Sequence, residues 1–211
     1  MISIKNNQAG QSLMEMLIAI FILIVALTAT IVLVVTSINA GRDSINKLIA
    51  TNLAREGVEV VRNIRDGNWI EPTNTEAWDA GLDIGPVVVP IIVPFNLIAD
   101  SISMDTATDF NDQKAQIYFS EANNFYYQKT VSPAEDQVNF YRLIYLNNIC
   151  HDSNNNEMIA EIGNADNCGA GDYTGYDDKV GIRVVSEVRW PNPTSGRKVQ
   201  VEERLYNWQR L

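Results

Sequence analysis

From Met16 to Val35 the sequence reads MLIAIFILIVALTATIVLVV, and after Glu15 no ionisable side chain occurs until Arg42. At about 1.5 Å rise per residue, such a run of twenty helical residues spans roughly 30 Å, the thickness of a bilayer's hydrocarbon core. This predicts a transmembrane-length helix near one end of the chain. The remainder is different in kind. Of 16 basic and 26 acidic residues, only Lys5 and Glu15 precede the end of the run. The formal net charge of -10 argues against a general nucleic-acid surface, so no nucleic-acid partner is expected. Arg183, Arg189, Arg197 and Lys198 are the only candidates for a local basic patch, and a solvated strand face explains them more simply.

The ten residues before the run, MISIKNNQAG, are polar, carry one lysine and end in Gly10. They cannot be the apolar part of a secretory signal. If the run itself were that part, it would be too long, and Ile38-Asn39-Ala40 fits a small-x-small cleavage site poorly. The decisive residues are Gly10-Gln11-Ser12-Leu13-Met14-Glu15, joined directly to the apolar run. Here the chain resembles the type IV pilin and pseudopilin family, which carries a prepilin-type N-terminal methylation motif.

The resemblance implies that a prepilin peptidase cuts between Gly10 and Gln11, leaves the apolar helix attached, and that the new N-terminus is methylated. Where the family commonly has Phe at the first mature position, this chain has Gln11. Glu15 matches the family's glutamate four residues into the mature helix. A carboxylate at the edge of a membrane segment is costly and usually marks a function with a partner. The implied partner is the α-amino group freed at Gln11, in a neighbouring subunit or its own. Further implied partners are other pilin subunits in a helical filament, the pilus assembly machinery and the cytoplasmic membrane.

Beyond the membrane run, Ile45, Leu48, Ile49, Leu53, Gly57, Val60, Val61 and Ile64 recur at three- and four-residue steps between charged residues. One helix from about Ser12 to Arg65, some 80 Å long, is expected, apolar on all sides first and amphipathic after that. Thr28, Thr30, Thr36 and Ser37 can bond to the preceding turn, and with Gly41 they are candidate bend points. Asp66-Gly67-Asn68 should end the helix by turn chemistry. An irregular stretch with Trp69 and Trp78 follows, in which VVV and IIV between prolines suit edge strands or extended loop.

Strands are expected at Gln116 to Phe119, Phe125 to Gln128 and Asn139 to Leu146, which are rich in aromatic and branched residues. A final hairpin runs from Val180 to Trp190, turns through Pro191 to Gly196, and returns from Lys198 to Trp208. The fold class is therefore α+β: a long N-terminal helix packed on a C-terminal antiparallel sheet, as in pilins. The expected division is leader 1–10, transmembrane or filament-core helix 11–40, amphipathic half 41–66 and β-rich head 67–211.

Cys150 and Cys168 stand in a loop-rich stretch beside the single histidine, His151. A disulfide there would close a loop of about 19 residues, contribute roughly 3 kcal/mol and require an oxidising compartment. A pair of free thiols is the alternative. Asp152, Asn154 and Asn156 resemble the first half of a calcium loop. Glu157 and Gly163, however, occupy the positions that need glycine and glutamate, so a solvated polar loop is the better reading and no metal is expected. No nucleophile elbow, P-loop or zinc motif occurs. The chain reads as a structural subunit with no cofactor and no enzymatic role. The resemblance places it in the cytoplasmic membrane before assembly, single-pass with the head outside, and on the cell surface afterwards. The size of the head and the final hairpin lean toward a minor pilin. The alternative is a single-pass anchored adhesion module that never polymerises.

Overall fold

The computed structural model describes residues 9–70, 78–82, 91–92, 95–96, 101–102, 105–121, 124–128, 137–159, 168–169, 174–176, 178–194 and 196–208. The chain forms two compact units, residues 1–46 and 47–211. One helix, α1 (Ala9–Ile70), supplies all of the first unit that is described and opens the second. In the first unit, Thr28, Thr30 and Thr36 donate their hydroxyls to Val25 O, Ala26 O and Val32 O at 2.8 to 3.0 Å. Their polar groups are thus satisfied inside the helix itself.

In the second unit α1 buries one stripe: Ala50, Leu53, Ala54, Gly57, Val58 and Val61. Leu53, Gly57 and Val61 lie on it as expected, with Ile49, Val60 and Ile64 packed at its edge, and the start of the expected face is corrected. Ile45 and Leu48 are 59% and 63% exposed, while the small residues Ala50 and Ala54, which sequence reading passed over, lie against the sheet. Small side chains let the helix axis approach closely. At Gly57 an added Cβ would lie 2.6 Å from Ser186 Oγ and 3.1 Å from Ile144 Cδ1. The helix also runs past Asp66-Gly67-Asn68 to Ile70. Tertiary contacts override the turn residues there: Asn68 Nδ2 donates to Trp78 O and Ala80 O at 3.1 and 2.9 Å, and Trp69 stacks on Trp208 at 4.5 Å.

The strands are β1 (Ile91–Ile92), β2 (Phe95–Asn96), β3 (Ser101–Ile102), β4 (Asp105–Thr106), β5 (Gln116–Ser120), β6 (Phe125–Gln128), β7 (Gln137–His151), β8 (Glu157–Ile159), β9 (Asp178–Arg189) and β10 (Lys198–Tyr206). All pairings described are antiparallel. The main sheet runs in the order β10-β9-β7-β1-β4; β5 and β8 also pair with β7, β6 pairs with β5, and β2 pairs only with β3. Ile91 pairs with both Thr106 and Ile144, so Ile91–Ile92 is an interior strand where an edge strand or extended loop was expected; Val93 lies outside the described residues. The VVV segment lies outside the described residues. Strand β7 is much longer than expected, because its apolar alternation continues through the polar-looking Asn147-Asn148.

Period-two alternation sorts the two faces of the sheet. Phe140, Arg142, Ile144 and Leu146 of β7, with Ile182, Val184, Ser186 and Val188 of β9, are buried on the helix side. Tyr141, Leu143 and Tyr145 turn the other way and pack with Ala107, Phe110 and Ala115. Among the buried polar groups, Arg142 is the largest, with 3% of its side chain exposed. Its Nη1 donates to Leu53 O at 3.0 Å and lies 3.5 Å from Glu56 Oε1, while its Nε donates to Gln128 Oε1 at 3.0 Å. Gln128 Nε2 in turn donates to Arg142 O and Ala115 O at 2.9 and 3.2 Å. Burial lowers the Arg142 pKa, and the Glu56 carboxylate opposes that fall.

The tightest backbone approach is at Gly181, where a Cβ would meet Leu205 O at 2.9 Å. A carbonyl in a paired strand cannot swing aside as a side chain can. Gly181→Ala is expected to cost about 2 kcal/mol, read as a fall of roughly 4–8 °C in Tm for the full chain in detergent. An unchanged Tm would mean that β10 yields at Leu205 at no cost.

Candidate functional site

The first unit presents the most unusual surface. From Leu13 to Ile38 every large apolar side chain is at least 45% exposed, and the helix is long and apolar enough to cross a membrane. An apolar surface of this extent needs a partner, lipid or protein. Glu15 is exposed at its edge, flanked by Leu13, Met14, Met16 and Leu17. The backbone of Gly10 and Gln11 lies in the first helical turn. The four-residue step from Gln11 to Glu15 is one helical turn, and Cβ atoms lean toward the helix N-terminus. A carboxylate at Glu15 is thus carried on the same face as position 11.

In the second unit Cys150 and Cys168 are joined by a disulfide with Cα atoms 5.5 Å apart. Next to it, His151 Nε2 lies 3.8 Å from Glu157 Oε1, and Arg204 Nη1 lies 3.0 Å from Glu157 Oε2. Asp152 turns its carboxylate onto its own loop, accepting from Asn154 N, Asn156 N and Asn156 Nδ2 at 2.7 to 2.8 Å. Those hydrogen bonds, the one from the Asn156 side chain foremost, hold its pKa below the usual carboxylate range. Asp152, Asn154 and Asn156 therefore form a self-satisfied polar turn, in which the asparagines act as donors to Asp152. Among the described residues no three of Asp, Glu, His and Cys converge; Gly163, Asp172 and Asp177 lie outside them.

The basic residues of the last hairpin are met by carboxylates. Arg183 pairs with Glu202 at 2.8 Å, and Arg189 and Lys198 share Glu187 at 2.7 and 3.3 Å. Arg197 is also engaged. The Arg142, Gln128 and Glu56 network had no sequence signal: it joins three distant segments, and each residue alone reads as an ordinary surface polar group.

Residues 5–31 match the family model described as the prokaryotic N-terminal methylation motif. The match takes in Gly10, Gln11, Glu15 and the front of the apolar run. No curated protein and no solved structure matches the chain.

Proposed function

We propose, from the premise that the chain carries the N-terminal signature of type IV pilins and pseudopilins, that it is a structural subunit of a type IV pilus or related pseudopilus. The observation that carries this reading is the match over residues 5–31, joined to a helix whose apolar side chains from Leu13 to Ile38 are exposed. Prepilin peptidase severs the Gly10–Gln11 bond and the cytoplasmic membrane holds the subunit until assembly. Helix packing in the filament core then replaces lipid contact. Glu15 pairs with the α-amino group of Gln11, chiefly that of a neighbouring subunit. The disulfide supports a head outside the cytoplasm, where thiols are oxidised. The size of the domain beyond residue 67 supports a minor or tip-associated pilin as the finer assignment.

The test is the N-terminal mass of the protein from cells with and without a prepilin peptidase. A mature start at Gln11 that depends on the enzyme is the expected result. An intact Met1 in both, or a cut near Ala40, would overturn the reading and leave an anchored or secreted domain.

A further inference from the structure

On the face of the sheet away from α1, an open cleft of about 400 Å³ lies between the 108–111 segment, Tyr145 of β7, Arg189 of β9 and the hairpin turn at Pro193 and Thr194. That volume is in the range of small-ligand sites. One wall is a fixed guanidinium. Arg189 Nε donates to Glu187 Oε1 at 2.7 Å, its Nη1 donates to Pro193 O at 3.2 Å, and its Cζ lies 3.9 Å over the Phe110 ring. Its Nη2 has no partner among the described residues, nor has the Tyr145 hydroxyl. Burial, and then Glu187, raise the Tyr145 pKa, so this hydroxyl remains a proton donor at neutral pH.

Acceptors face these donors across the cleft. Among the described residues the Asp109 carboxylate receives the Asn111 backbone N–H and Nδ2, at 2.8 and 3.1 Å, which leaves lone pairs on both oxygens. Thr194 donates its hydroxyl to Asn192 Oδ1 at 3.2 Å and keeps its own acceptor capacity.

Charge narrows the ligand class. An anion would meet the carboxylate of Asp109, with the charge of Arg189 already countered by Glu187, and a cation would meet the fixed Arg189. Phe110 offers no free face for an apolar side chain, because Arg189 covers it, and peptides are usually read through such pockets or through strand addition. What remains is a neutral ligand whose groups both donate and accept, with a C–H surface to lay on Tyr145 and Pro193. We propose that this cleft binds one sugar residue of a neutral glycan. The proposal is independent of how the N-terminal helix is used.

Saturation-transfer NMR on the full chain in a sugar-free detergent tests it, with the methyl glycosides of glucose, galactose, mannose and N-acetylglucosamine as probes. At least one is expected to bind with Kd on the order of 1–10 mM. Tyr145→Phe or Asn111→Ala, the latter an exposed residue, is expected to weaken it about fivefold at unchanged Tm. No transfer from any glycoside, transfer undiminished in both variants, or transfer confined to N-acetylglycine methylamide as a peptide mimic would each overturn it.

Discussion

Glu15→Ala is expected to leave the protein inserted in the membrane and cleaved at Gln11, while its recovery in sheared filaments falls about 100-fold. Cleavage at the proposed site would free an α-amino group that is largely protonated near neutral pH. Packing that ammonium among apolar helices without a counter-charge costs several kcal/mol, because neither water nor a carboxylate is there to offset the lost hydration. Each 1.4 kcal/mol is about a tenfold change in an equilibrium, so roughly 3 kcal/mol gives the stated loss. Glu15→Gln keeps the shape and loses the charge, and should fall nearly as far. Immunoblots of filament and membrane fractions measure both quantities. Full incorporation of a cleaved Glu15→Ala protein would remove Glu15 from assembly.

Arg142→Met is expected to destabilise the second unit by about 3 kcal/mol. The guanidinium is enclosed, and its removal strands Gln128 Oε1 and takes the donor from Leu53 O. A buried acceptor left without a donor loses its desolvation free energy outright, whereas replacing the whole polar set by apolar groups of similar volume is often neutral. The double variant Arg142→Met with Gln128→Leu should therefore recover much of the loss. Urea unfolding of the four proteins in a double-mutant cycle reads this as a coupling of at least about 1 kcal/mol. Additive effects would mean the two side chains act separately.

Local pattern carried the sequence reading where one period dominates. The apolar run announces its helix by length, and the final hairpin announces itself by alternation around Pro191 and Pro193; both stand close to where they were expected. Boundaries failed where distant residues decide. Asn68 and Trp69 remain helical because Trp78, Ala80 and Trp208 hold them, and no window around Asp66 contains that information. The buried stripe was misjudged in part, for a different reason: alanine scores weakly as an apolar residue, yet Ala50 and Ala54 lie in the stripe beside Gly57, which was expected there. Of the candidate sites, Glu15 stands out in the sequence because Leu13, Met14, Met16 and Leu17 around it are apolar, and its part in assembly is the proposal that the first experiment tests. The Tyr145 and Arg189 cleft does not stand out, since it is assembled from a loop, two strands and a turn far apart in sequence.

The stack of Trp69 on Trp208 also sets an order of events. Ribosomes release α1 first and β10 last, and the stripe of α1 from Ala50 to Val61 is covered partly by Leu82, Ile117, Phe140, Ile144 and Leu146 and completed only by Ile182, Val184, Val188 and Leu205 near the C-terminus. More than a hundred residues must emerge before that cover is complete, so during synthesis the stripe is a partly uncovered apolar surface of a nascent chain. The interval between the helix and its last strand is when this protein most needs a chaperone, and shortening synthesis time over residues 71–178 would be the gentlest way to improve its yield.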